Sequence, residues 1–214
     1  MRTLILLLII FAAGSLPGQN SISTCQNADY ILQKSIEIHD PAQQWKHTPL
    51  HLHIQEPRLQ VPERYSIIHL DRAGQTFSMD RKRGRRMTTY QLAADGTSRV
   101  LLDSSDQYTA ADEKTYFLQP NRPASYQDFY SVMYGLPMSL LENDRAEIEG
   151  VTTIDFFGQE AFAVSFLLAK PMISKHWRVM VSTENFEMLG LEFFDLQDDT
   201  AGEYIRFDGL IQIG

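Results

Sequence analysis

The chain has 214 residues, 43% hydrophobic and 21% charged, with a formal net charge of −8. These proportions fit a folded globular protein and exclude a disordered one, and the acidic balance argues against nucleic-acid binding, which rests on Lys and Arg neutralising phosphates. The single cysteine, Cys25, excludes an internal disulfide, so the core must hold the fold unaided.

Residues 1–19 have the form of a secretory signal peptide. Met1-Arg2-Thr3 is a short basic start, Leu4–Ala13 is an unbroken apolar run, and Gly14-Ser15-Leu16-Pro17-Gly18 supplies small and helix-breaking residues. A membrane span needs roughly 20 apolar residues, and this run stops well short. The expectation is an exported protein, periplasmic or extracellular, cut between Ser15 and Asn20. Lipid anchoring at Cys25 is not expected. A lipoprotein signal places a small residue directly before its cysteine, right after the apolar run, whereas Thr24 precedes Cys25 here, well beyond Ala13.

Residues 20–26 read as a polar leader, followed by a single domain over 27–214. Asn27 suits an N-cap, and Ala28, Ile31, Leu32, Ser35, Ile36 and His39 recur at helical spacing. Pro41 disfavours helical geometry at Asp40 and stops the helix. From Leu50 the period becomes two. Leu50, Leu52 and Ile54 alternate with His51, His53 and Gln55, and Ser66, Ile68 and Leu70 alternate with Tyr65, Ile67, His69 and Asp71. Further strand-like runs are Gln75–Asp80, Met87–Leu92, Ser98–Leu102 and Lys114–Leu118. Ala73-Gly74, Gly84, Asp95-Gly96 and Ser104-Ser105-Asp106 punctuate them as turns. Tyr126, Phe129, Tyr130, Met133 and Tyr134 predict a second helix starting near Ala124 or Ser125. Gly135-Leu136-Pro137 ends it, and Met138–Leu141 adds a turn.

The last third returns to alternation. Phe162, Val164, Phe166 and Leu168 share a face, as do Trp177, Val179 and Val181, then Leu189, Leu191 and Phe193, then Ile205, Phe207, Gly209, Ile211 and Ile213. No linker or repeat divides the chain. The expected fold class is α+β: a single strongly curved antiparallel sheet, a half-open barrel, with two or three helices packed on its concave side.

Three segments carry a family resemblance. They are His39-Asp40-Pro41 with Trp45 downstream, Asp128-Phe129-Tyr130 leading to Tyr134-Gly135-Leu136-Pro137-Met138, and Gly202-Glu203-Tyr204-Ile205 near the C-terminus. With the signal-like start and the length, the chain resembles an uncharacterised family of secreted Bacteroidota proteins, a domain of unknown function. Such proteins are similar in plan to the LolA/LolB lipoprotein carriers, in which a bent antiparallel sheet wraps around helices and leaves an apolar cavity. The resemblance implies that fold and a cavity, and it identifies no ligand. The Arg81–Arg86 run departs from the family pattern.

No Gly-x-Ser-x-Gly elbow, His-Glu-x-x-His pair, phosphate loop or Cys-x-x-Cys occurs, so a non-catalytic protein without cofactor or metal is expected. His51 and His53 share a strand face and could hold a metal if His39, His47 or Asp40 arrived as a third ligand; otherwise they simply face water. His39, Asp40 and Trp45 are either a helix stop with Trp45 packed over it or the polar lip of a cavity. Arg81, Lys82, Arg83, Arg85 and Arg86 surround Gly84 at a hairpin tip. They form either a docking patch for an anionic membrane surface or acidic partner, or a solvated turn.

Tyr130, Met133, Tyr134, Trp177 and Phe193 are the candidate lining of an apolar cavity for a lipid-like or hydrophobic ligand. The leading expectation is therefore an exported, non-catalytic binding or carrier protein. The alternatives are an envelope interaction protein with a closed core and, less favoured, a hydrolase with an unrecognised site. Intact mass of the envelope form should place the mature N-terminus between Leu16 and Ser21 without an acyl group. A mass that retains Met1–Ser15, or lipid on Cys25, rejects this expectation.

Overall fold

The computed structural model describes residues 21–55, 63–142, 145–172, 174–194 and 202–208. The expected signal peptide and the positions 209–214 lie outside these residues. Helix α1 spans Ser21–His39. It begins six residues before the expected cap at Asn27, so the stretch read as a polar leader is helical from Ser21. Neither Pro nor Gly lies between Ser21 and His39, and polar side chains alone do not stop a helix.

Five strands follow: β1 Leu50–Gln55, β2 Tyr65–Asp71, β3 Thr76–Arg83, β4 Arg86–Leu92 and β5 Ser98–Leu102. Each pairs antiparallel with the next, giving a first sheet in simple hairpin order. The period-two pattern sets the faces. Ser66, Ile68 and Leu70 of β2 are buried beside Phe77 and Met79 of β3 and Tyr90 of β4. Gly84 and Gly96, both with positive φ, turn two of the hairpins.

The chain then leaves the sheet for α2 (Ala110–Tyr116), α3 (Arg122–Met133) and a 3-10 turn (Met138–Leu141). Part of α2 occupies the segment expected to be a strand at Lys114–Leu118. A capping box overrides the short apolar run: Thr109 Oγ1 accepts from the Asp112 amide at 3.0 Å, and the Asp112 carboxylate accepts from the Thr109 amide at 3.4 Å.

When the chain returns, it builds a second sheet instead of extending the first. Strands β6 (Ala146–Phe156), β7 (Gln159–Leu168), β8 (His176–Ser182), β9 (Met188–Phe194) and β10 (Gly202–Arg206) lie in the order β10-β9-β8-β7-β6. The expected single curved sheet is therefore two five-stranded antiparallel sheets, and among the described strands none closes a barrel. The helical excursion between β5 and β6 separates them. Strand β6 escapes the alternation rule because the register shifts between Ile148 and Gly150. This bulge leaves Ile148 and Val151 packed on the same core although they are three apart. A second shift, at Met180 and Val181, sends Leu189 away from Leu191 and Phe193 to a small cluster around Phe156 and Met180 on the opposite face.

The second core combines Ala28, Ile31 and Leu32 of α1 with Val164, Phe166, Trp177, Val179, Leu191 and Phe193. Helix α3 serves both cores. Tyr130 joins the first sheet's cluster and Val132 the second's. The loop after α1 locks onto the end of α3, where Trp45 is buried against Gly135. A Cβ added at Gly135 would meet the Trp45 ring and the Ser131 carbonyl. Gly135→Ala should therefore overpack this joint and lower stability by about 1–3 kcal/mol in urea unfolding. An unchanged midpoint would show that Trp45 gives way freely.

Candidate functional site

Helix α1 ends where Pro41 forbids its continuation, and Asp40 then organises the exit. Its carboxylate accepts from the Gln44 amide at 2.6 Å and the Trp45 amide at 3.1 Å. Trp45 in turn lies under the Arg72 guanidinium, 4.4 Å from the ring centre, and Arg72 pairs with the buried carboxylate of Glu142. Asp40 and Trp45 thus form a helix stop and a packed joint. His39 points elsewhere: its Nε2 accepts the Met188 amide at 2.9 Å and ties α1 to β9.

Beside that contact lies a cleft of about 640 Å³ between the ends of α1 and α3 and the strands β9 and β10. Met133, Tyr134, Leu136, Met188, Leu189, Ile205 and Phe207 supply its apolar lining. His39, Gln159, Glu187, Arg206 and Asp208 supply its polar groups. Two of the five expected lining residues, Met133 and Tyr134, stand here. Tyr130 belongs to the other side of α3, where its hydroxyl meets Arg81.

Trp177 and Phe193 are corrected. Their rings pack 5.5 Å apart in the second core, and the Trp177 indole N–H donates to the Ser174 carbonyl at 3.0 Å. At 1% and 7% exposure they are core side chains. The alternation put them on the inner face of the sheet as it should, but α1 and α3 fill that face.

The basic run does not form one surface either. Arg81 shares the inner face of β3 with Phe77 and Met79 and is 4% exposed. It donates to Ser66 Oγ (2.9 Å), Tyr126 Oη (3.2 Å) and Tyr130 Oη (2.6 Å). Arg83 lies over Phe117 at 5.3 Å and reaches the Thr115 carbonyl. Arg86 pairs with Asp103 and Asp112, and Lys82 with Glu63. Arg85, in the turn, is exposed.

His51 and His53 project from the exposed face of β1. His51 makes a ring contact with His69 of β2 at 4.3 Å, and His53 with Tyr65 at 5.6 Å. Of the third ligands considered, His39 and Asp40 are engaged at the end of α1. Among the described residues no three His, Cys, Asp or Glu side chains gather to hold a metal ion.

A second cleft, of about 420 Å³, opens beside α3 where it meets Arg81 of the first sheet. Arg64, Arg81, Arg122 and Lys170 line it with Tyr126, Phe129 and Met172. Sequence reading missed Arg64, Arg122 and Lys170. They are isolated cations on separate elements, and no local spacing announces that the fold brings them together.

Burial holds the His39 pKa below its ordinary value of 6.5, with Glu187 opposing. The neutral imidazole is the form that accepts the Met188 amide. A histidine with a lowered folded pKa contributes fully above about pH 6.5, and that contribution is lost as pH falls toward the folded value. His39→Gln keeps an acceptor without a titrating ring. Its melting temperature should decline less than wild type as pH drops below about 6.5. Parallel declines would show that His39 is not the group responsible.

A family model described as a family of unknown function (DUF6503) matches residues 5–161. No curated protein matches the chain. Among solved structures, the crystal structure of a LolA superfamily protein from Nitrosomonas europaea aligns at 12% identity and a TM-score of 0.37, covering 87% of this chain and 79% of that one.

Proposed function

We propose that this chain, which belongs to the DUF6503 family of unknown function, is an exported, non-catalytic binding or carrier protein for a hydrophobic, lipid-like ligand. The observation that carries the reading is the cleft of about 640 Å³ at the ends of α1 and α3. Its size falls in the range of small-molecule sites, roughly 300–1,000 Å³. Met133 and Met188 give it flexible, polarizable walls that suit a ligand of variable shape. Tyr134 and Phe207 add exposed aromatic surface at the same place, at 39% each. His39 and Glu187 stand at the polar side, where a ligand's head would meet water. The apolar start Leu4–Ala13 supports export.

The functional alternative that docks through Arg81–Arg86 has less support, because Arg81 is buried and Lys82, Arg83 and Arg86 are engaged within the chain. The sequence carries no motif of a nucleophile with its base.

The test is Met133→Trp. A hydrophobic fluorescent probe should bind the native protein saturably, and the larger side chain should weaken that binding at least about tenfold, a change of about 1.4 kcal/mol. The melting temperature should hold, because the indole enters open space. If the substitution instead lowers stability by the roughly 1–3 kcal/mol of an overpacked core, and wild type binds no probe, the carrier reading fails.

A further inference from the structure

We propose that the cleft beside α3, next to Arg81, is a second binding site, which takes the anionic head of an amphiphile between Arg64, Arg81, Arg122 and Lys170 and lays its apolar tail along Phe129 and Met172. The site shares no lining residue with the cleft at the end of α3, and it stands whether or not that cleft is occupied.

Charge is the first argument. In a chain of net charge −8, Arg64, Arg81, Arg122 and Lys170 line this cleft. Among the described residues its lining includes one carboxylate, Asp128, which Lys170 holds at 2.5 Å. Arginine guanidinium forks match phosphate and carboxylate oxygens better than any other side chain.

The second argument is preorganisation. Three hydroxyls, from Ser66, Tyr126 and Tyr130, fix the buried Arg81. Aromatic rings act as spacers for the others. Arg122 lies 5.2 Å from the centre of Phe117, with Arg83 on the same ring at 5.3 Å, and Arg122 and Arg81 both lie over Tyr126, at 5.6 and 5.0 Å. Like charges are thus held close together before any ligand arrives. Consistently, Arg83 is held below the usual arginine range by burial first, and then by the neighbouring charges of Arg81 and Arg64. An anion entering the cleft meets these cationic side chains already in position.

The third argument is shape. The cationic cleft adjoins a smaller one of about 250 Å³, whose apolar lining is Val132, Leu168, Ala169 and Met172 with Arg145 beside them, and the two share Asp128, Lys170 and Met172. A charged mouth that adjoins a mainly apolar slot fits one molecule with a charged head and an aliphatic tail. A free inorganic anion would use only the mouth.

Titration calorimetry with single-chain probes below their micelle concentration tests the proposal. Dodecyl phosphate and dodecanoate are the anionic probes; dodecyl maltoside carries the same tail under a neutral head, and inorganic phosphate is a head without a tail. At least one anionic amphiphile should bind saturably, at least tenfold more tightly than the maltoside and than inorganic phosphate. Which of the two binds better identifies the head. Arg122→Gln and, separately, Arg64→Gln should each weaken that binding at least fivefold with circular dichroism unchanged. Lys170→Gln, at an exposed side chain, serves as the variant least able to disturb folding. Met133→Trp should leave the anionic probe's affinity unaltered.

Equal affinity for neutral and anionic heads, or wild-type affinity in all three charge variants, overturns the proposal. So does loss of the anionic probe in Met133→Trp, which would place it in the other cleft. Failure of Met133→Trp to affect the hydrophobic fluorescent probe removes only the carrier reading of the apolar cleft and leaves this site standing.

Discussion

The Arg81 guanidinium, buried on the inner face of β3, is the contact on which the placement of α3 depends. A strand whose inward residues are Phe77 and Met79 would be completed most simply by a third apolar side chain. A charge there requires hydrogen-bond partners, because a buried ion without them is strongly destabilising. Tyr126 and Tyr130 provide two, and both lie on α3. The requirement of one cation thus sets which face of α3 meets the first sheet. Once that face is fixed, the rest of the helix is determined by its period: Val132 turns into the second core and Met133 toward the apolar cleft.

A second constraint acts at the end of the same helix. Two of the segments that carry the family resemblance, His39-Asp40-Pro41 with Trp45 and Tyr134-Gly135-Leu136-Pro137-Met138, meet in space. Asp40 holds the backbone amide of Trp45, and the Trp45 ring covers Gly135 so closely that no Cβ fits. Those residues are explained by packing. What they secure is the position of His39 and Tyr134, which stand at the cleft beside the joint. A signature made of structural residues identifies a fold, and the ligand must be sought in the side chains around it.

Much of the fold was legible because period-two alternation is a local signal. Strands β2, β4 and β5 follow it closely, and the glycine turns fall where expected. It failed where one residue broke the count, as at the bulge in β6 and at Leu189 in β9. It also failed where a cap outweighed a short apolar run, as at Thr109 before α2. The division into two sheets was not legible, since nothing local to β6 says whether it pairs with β5 or β7. The basic run misled through composition. Counting alternately from Phe77 and Met79 places Arg81 and Arg83 inward, and that signal was present but was outweighed by five charges in six positions. Met133 and Tyr134 could be chosen from their helix, whereas Trp177 and Phe193 could not be told from lining until the helices covering them were in place.

Tyr130 and Val132 are two residues apart on one helix, and each belongs to a different hydrophobic core. A rigid helix cannot be withdrawn from one core and remain seated in the other. The free energies of the two sheets are therefore coupled through α3: loosening either exposes apolar surface in both, so the halves melt together instead of as independent units. The same coupling acts in the native state. Any molecule that holds α3 against one sheet also restrains the other, so occupancy on one flank of this helix is felt as rigidity across the whole molecule.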